Sequence, residues 1–166
     1  MRKYEIPLFQ IGGRIYKTVI AVFLCFLIDT FRNTGVPFYA AIAAILCIQR
    51  SQQDSFQAAK NREIATIVGG ICGMLFLLAE RNLFHIQTEL LRYAVLSVLL
   101  IPIIELSLYL RQEKGTFLMC VVFLCVTTTH ENDISPITFA MSRIVDTTIG
   151  IIVALIVNLF PCAKKK

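Results

Sequence analysis

Apolar residues fall into six runs separated by short polar breaks: Ile15 to Phe31, Pro37 to Ile48, Ile64 to Ala79, Leu90 to Leu110, Phe117 to Thr129 and Ile137 to Phe160. Charged residues cluster between the runs instead of alternating within them. A soluble domain of this size would show amphipathic periods. The pattern therefore predicts an all-α polytopic membrane protein, residues 1–166 forming a single transmembrane domain of six transmembrane helices. A helix rises 1.5 Å per residue and the hydrocarbon core is about 30 Å thick, so roughly 20 residues make an upright crossing. The second and fifth runs fall short of that. Either they are extended by flanking Val36, Gln49 and Thr116, or they thin the bilayer or stop at a cavity.

Composition agrees with this class, since 57% of side chains are hydrophobic and only 16% are charged. Met1 to Gln10 is short and mixed, and Arg14 and Lys17 follow before the apolar core begins. That is not the shape of a cleavable signal, so the first helix is expected to be retained as the insertion signal. The six cysteines, Cys25, Cys47, Cys72, Cys120, Cys125 and Cys162, include no CxxC pair and no flanking histidine, so they read as small buried hydrophobes. No metal or other cofactor is expected. The net charge of +5 comes from basic residues at segment ends, where membrane topology alone would place them, and nucleic acid is not an expected partner.

Orientation follows from where the basic residues fall. With the N-terminus inside, the cytoplasmic side holds Arg2, Lys3, Arg14, Lys17, Arg50, Lys60, Arg62, Arg111, Lys114 and Lys164 to Lys166, against Arg32, Arg81 and Arg92 outside. Both termini are then cytoplasmic, and the loop His130 to Asp133 faces outward without Lys or Arg. Tyr39, Tyr93 and Tyr109 near segment ends suit interfacial anchoring.

Three segments share one pattern: Arg14 with Thr18 and Ala21, Arg62 with Thr66 and Gly69, and Arg143 with Thr147 and Gly150. Offsets of four and seven place each set on one helix face. Arg62 heads the third segment and Arg143 lies near the head of the sixth, which run in opposite directions, and the short segments are the second and fifth. These are the marks of an inverted three-plus-three repeat with a central site. A simpler reading makes Arg14 and Arg62 topology determinants and the glycines packing positions, with Gly69 and Gly73 forming a GxxxG patch.

Arg143 would lie roughly 10 Å along its helix, where an ionised side chain costs roughly 2.5 to 3.5 kcal/mol and needs a partner or a wet cavity. Asp146, three residues on, supplies an intrahelical partner; snorkelling to the outer interface is the other escape. Asp29 and Arg32 can pair locally at the end of the first segment. Glu105 follows Pro102 in the fourth, facing a cavity or the inner surface beside Arg111. His130 with Glu131 and Asp133 reads as a proton-coupling mouth or a solvated loop.

The stretches GGRIYKTVIAVFLC (Gly12 to Cys25), PFYAAIAAILCIQ (Pro37 to Gln49), NREIATIVGGICG (Asn61 to Gly73) and SRIVDTTIGIIVALIVN (Ser142 to Asn158) resemble the aromatic acid exporter family of Gram-positive bacteria. That family belongs to the fusaric-acid-resistance-like superfamily, to which the plant aluminium-activated malate transporters are distantly similar. The resemblance covers nearly the whole chain. It implies a six-helix bacterial cell-membrane module that moves organic anions outward and works as a homodimer or larger assembly among membrane lipid. Similar members often continue into a soluble cytoplasmic region, whereas this sequence ends at Cys162 to Lys166, with that region either absent or carried elsewhere.

A carboxylate exporter needs a fixed positive charge, hydrogen-bond donors and an apolar wall. Arg143 and Arg62 supply the charge, Thr147 and Thr66 the donors, and Gly150 and Gly69 close backbone approach. Phe38, Tyr39, Phe117 and Phe123 are the candidate wall, and Asp146 would hold Arg143 between substrates. There is no GxxxxGK[ST] pattern, so an ion gradient, the potential or another subunit must supply energy. The rivals are an organic-anion channel using the same arginines and a non-transporting membrane scaffold. No cluster has catalytic spacing, so an enzyme is not expected.

Overall fold

The computed structural model describes residues 13–32, 36–82, 88–129 and 136–160. Among these are six α-helices, one 3-10 turn at Glu113–Gly115 and no strand. The helices are α1 (Gly13–Arg32), α2 (Pro37–Cys47), α3 (Gln52–Asn82), α4 (Glu89–Tyr109), α5 (Thr116–Thr129) and α6 (Pro136–Leu159). The loop His130 to Asp133, the tail Cys162 to Lys166 and the residues before Gly13 lie outside the described residues, and with them the expected positions of both termini.

Each apolar run becomes a helix, but the third is only part of one. α3 starts at Gln52 because Ser51 caps it, its Oγ accepting the Asp54 backbone N–H at 3.0 Å. The polar first half of α3 hides a helical stripe, in which Ser55, Ala59, Arg62, Thr66, Gly69 and Gly73 are all buried at steps of three or four. Mean hydropathy missed this stripe because its members are small or charged. By length and composition α3, α4 and Ile137–Leu159 of α6 can each cross a membrane, and α2 is a shorter apolar helix. At 11 residues α2 covers about 16 Å, roughly half a hydrocarbon core.

α3 and α6 pack along each other; the α1–α2 hairpin covers α6, and α5, backed by α4, covers α3. Contact between backbones is tight where the sequence places glycine. A Cβ on Gly69 would sit 2.6 Å from the Met119 carbonyl oxygen and 3.1 Å from Val122 Cβ. One on Gly73 would sit 2.9 Å from Val126 Cβ. A Cβ on Gly150 would collide with the Ala40 carbonyl and lie 2.7 Å from Ala43 Cβ. The glycines let α5 dock on α3 and α2 dock on α6 with their backbones nearly in contact.

Basic residues read as topology signals also close helix ends. Arg14 Nε donates to the Ile48 carbonyl at 2.9 Å, ending α2, and Lys17 Nζ donates to the carbonyl and Oδ1 of Asn158 at the end of α6 (3.0 and 3.1 Å). Arg92, which is buried, reaches the Thr127 carbonyl near the end of α5 at 2.9 Å and pairs with Glu80 at 2.7 Å. Orphaned C-terminal carbonyls and the negative end of a helix dipole favour such cations. α4 runs through Pro102 and stops at a Schellman turn, in which Gln112 N–H donates to the Ser107 carbonyl and Arg111 takes φ 54°. Glu105 is exposed on α4.

Large apolar side chains face outward along the helices, while a few charged ones are enclosed. Phe23, Phe31, Leu90, Val98, Tyr109 and Phe117 are all more than half exposed, while Arg92, Arg143 and Asp146 are buried. Cys25 and Cys47 are buried thiols, and Cys72, Cys120 and Cys125 are partly buried and free.

Gly150→Ala is expected to lower thermal stability by about 1 to 3 kcal/mol through overpacking against α2. Gly70→Ala, whose added Cβ would meet only Ile144 Cδ1 at 4.0 Å, is expected to be near neutral. Thermal unfolding in detergent, followed by circular dichroism, compares them; equal effects would refute the close α2–α6 approach.

Candidate functional site

α2 begins part-way along α6, at Asp146. Val36, its N-cap, has no side-chain cap of its own; instead its backbone N–H donates to Asp146 Oδ2 at 3.2 Å. The other oxygen, Oδ1, takes Arg32 Nη1 from the last turn of α1 at 2.8 Å. Asp146 is 2% exposed and Arg32 29%. A carboxylate at the positive end of a helix, facing a guanidinium, has both its charge and its lone pairs met.

This arrangement corrects two expectations. Asp146 does not hold Arg143, because its oxygens are committed to Arg32 and α2. Arg32 does not settle for local Asp29, because the last turn of α1 lies beside the middle of α6 and its Nη1 reaches Asp146 Oδ1. An i,i+3 spacing makes an intrahelical pair available, but a better acceptor geometry across helices wins.

Arg143, left without Asp146, lies flat on an aromatic ring. Its guanidinium carbon is 3.3 Å from the centroid of Tyr39 in α2, a cation–π contact in an environment with little water. Arg143 is 5% exposed, and its Nε and Nη1 are buried with no hydrogen-bond partner among the described residues. It has not snorkelled outward. Thr147 and Gly150 follow on the same buried face, Gly150 against α2. Tyr39, expected as an interfacial anchor, serves instead as the platform under a charge.

Arg62 repeats the condition on α3. It is 8% exposed, and its Nε and Nη1 are also buried without a partner among the described residues. Its neighbour Glu63 turns to α6, accepting the Thr148 hydroxyl on Oε1 at 2.8 Å, and leaves Oε2 unmatched among the described residues. Thr66 is buried and Gly69 packs on α5. Arg62 and Arg143 are both buried, one on each of the two helices that pack along the α3–α6 seam. Unpaired buried guanidinium N–H groups are costly to leave unmet and are a standing invitation to an anion.

The aromatic wall is only partly as expected. Tyr39 lies under Arg143 and Phe117 lines a cavity beside Arg62. Phe123 is buried in the core against Phe76, and Phe38 is largely exposed, edge-on to Tyr39. Sequence reasoning missed Arg32, Val36 N–H, Glu63 and Thr148 as parts of the centre. For Glu63 and Thr148 the signal was present, as a carboxylate and a hydroxyl inside long helices; for Arg32 and Val36 there was none.

Residues 9–160 match the family described as aromatic acid exporter family member 1. The chain belongs to the aromatic acid exporter family. Its relatives include a UPF0421 protein of Bacillus thuringiensis (strain Al Hakam), 32% identical over 96% of this chain and 41% of the relative. A UPF0421 protein of Bacillus cereus has the same identity and coverage. UPF0421 protein YgaE of Bacillus subtilis (strain 168) is 25% identical over 90% of this chain and 39% of its own length. The chain therefore spans about two fifths of the length of these relatives. Family membership and the apolar helices together mark a membrane protein.

Asp146→Asn is expected to destabilise the fold by about 3 kcal/mol, since it breaks a buried charge pair. A double-mutant cycle with Arg32→Gln should return a coupling of about 1 kcal/mol or more, and one with Arg143→Gln a smaller coupling. Chemical denaturation in micelles reads both cycles. A larger coupling to Arg143 would restore the intrahelical pair.

Proposed function

We propose that this chain is the membrane part of an exporter of small aromatic or other organic carboxylates in the bacterial cell membrane, with Arg143 as the charge that meets the substrate. The observation that carries this is a buried guanidinium, stacked on Tyr39, with two N–H groups unmet. Those groups suit a carboxylate, and the Tyr39 face and the surrounding apolar helices suit a ring. Thr147 continues that buried face along α6 and Thr66 does the same beside Arg62 on α3, while Gly150 and Gly69, expected to line the site, are filled by the backbones of α2 and α5 and set the helix spacing.

Asp146 has a different role from the one its position in the sequence implied. It occupies the spot an incoming carboxylate would favour, the N-terminus of a short helix beside Arg32. A substrate carboxylate at Arg143, one turn away, repels Asp146 and loosens its hold on α1 and α2. That couples substrate charge to movement of a hairpin, which is what alternating access requires.

Six membrane crossings in an inverted three-plus-three arrangement fit the packing. Exchanging the halves turns Gly69 on Met119 and Val122 into Gly150 on Ala40 and Ala43. The same exchange turns Arg92 on the Thr127 carbonyl into Arg14 on the Ile48 carbonyl. One identical step in residue number relates Ala40 to Met119, Ala43 to Val122 and Ile48 to Thr127. On this reading Arg14 is the counterpart of Arg92, and only Arg62 and Arg143 are counterparts of each other. The excess of Lys and Arg on one side puts both termini in the cytoplasm.

Arg143→Gln is expected to reduce efflux of an aromatic carboxylate about tenfold or more, the loss of a charge-assisted hydrogen bond. Arg143→Lys should not restore it, since an ammonium lacks the planar fork. Efflux of labelled benzoate from cells expressing equal amounts of membrane-inserted protein measures this. Unchanged efflux would remove Arg143 from the transport path, and linear single-channel current in planar bilayers would replace the carrier with a pore.

A further inference from the structure

A cavity of about 350 Å³ lies where α2 ends, α3 is a few turns old and α5 begins. Arg62 lines it, with Leu46, Phe117 and Leu118 as apolar walls and Asn61 and Lys114 as polar ones. Its size is that of a site for one small molecule. Phe117 is 80% exposed, so the wall it forms is not packed away in the core. Asp54, an exposed acid in the first turn of α3, also lines the cavity, in a wall that holds two cations, the buried Arg62 and the exposed Lys114.

Arg62 is more than nine-tenths buried, yet no carboxylate among the described residues neutralises it. The nearest in sequence, Glu63, is held by Thr148. The residue equivalent to Asp146 in the first half is Ala65, four residues before Gly69 as Asp146 is four before Gly150. The first half therefore lacks the built-in anion that the second half has. Ala65 itself is packed in the core, and the cavity opens one turn earlier on α3, at Asn61 and Arg62.

We infer that this cavity is a second carboxylate station, taking a small acid with one apolar ring, its carboxylate on Arg62 and its ring between Leu46, Phe117 and Leu118. The role of the station in transport rests on the export reading above; binding at it rests on the cavity alone. An anion here meets the charge of Arg62 on the α3 side of the seam, while Arg143 stands on the α6 side.

The sequence contains no tryptophan, so Phe117→Trp introduces one indole at the cavity wall. The full chain carrying it, in lipid nanodiscs, is titrated with benzoate, and separately with neutral benzamide. The expected result is a saturable fluorescence change with benzoate, at least about tenfold weaker with benzamide and after Arg62→Gln. If Arg62→Gln does not fold by circular dichroism, Lys114→Glu at the exposed mouth serves instead, with benzoate binding expected to fall several-fold. No saturable response, equal response to benzamide, or a response indifferent to both substitutions overturns the station. Export of benzoate by a chain whose cavity does not bind it sinks this inference and leaves export standing. Binding in the cavity of a chain that gives no efflux of benzoate does the reverse.

Discussion

One carboxylate in apolar surroundings holds the architecture together. Ionised Asp146 is costly to bury without partners, and α2 cannot begin at depth with its N-terminal N–H groups unmet. Each answers the need of the other: Val36 donates to Asp146, and Arg32 supplies the balancing charge. The end of α1, the start of α2 and the middle of α6 are thereby fixed to one point. A helix half a bilayer long has a defined place only because of this junction.

The same junction sets the chemistry. Because Asp146 is engaged by Arg32, Arg143 is free of it, and the closeness of α2 brings the Tyr39 ring under its guanidinium instead. That closeness depends on residues with almost no side chain. Ala40 and Ala43 meet Gly150, so the α2 backbone lies against α6 at a separation that a branched residue would forbid. On the opposite flank Gly69 and Gly73 do the same for α5 against α3. Small residues decide the helix spacing, and the spacing decides which polar groups are sealed from water. Two arginines are sealed in with donors to spare, in a protein whose family is named for exporting aromatic acids.

The polar ends of the bundle show a second economy. Arg14, Lys17 and Arg92 obey the bias of basic residues towards segment ends, and each also satisfies carbonyls at the end of a helix. Their placement caps helix ends in the folded state. Asn158 and Ser55 join this network at the α3 and α6 ends through a 2.7 Å bond.

Much was legible along the chain. Hydropathy gave the number of helices and the shortness of the second and fifth, and the buried polar residues of α6 marked Arg143, Asp146, Thr147 and Gly150 as a face worth attention. The start of α3 was harder, since its buried face is a stripe of small and charged residues that average to nothing in a hydropathy window. The pairing of charges was out of reach. Spacing along one helix offered Asp146 to Arg143, while the partner it takes is 114 residues away. Periodicity is a property of a single helix and therefore tells which face is buried. Which long side chain meets which depends on the approach and relative height of different helices, and only the packed structure decides that.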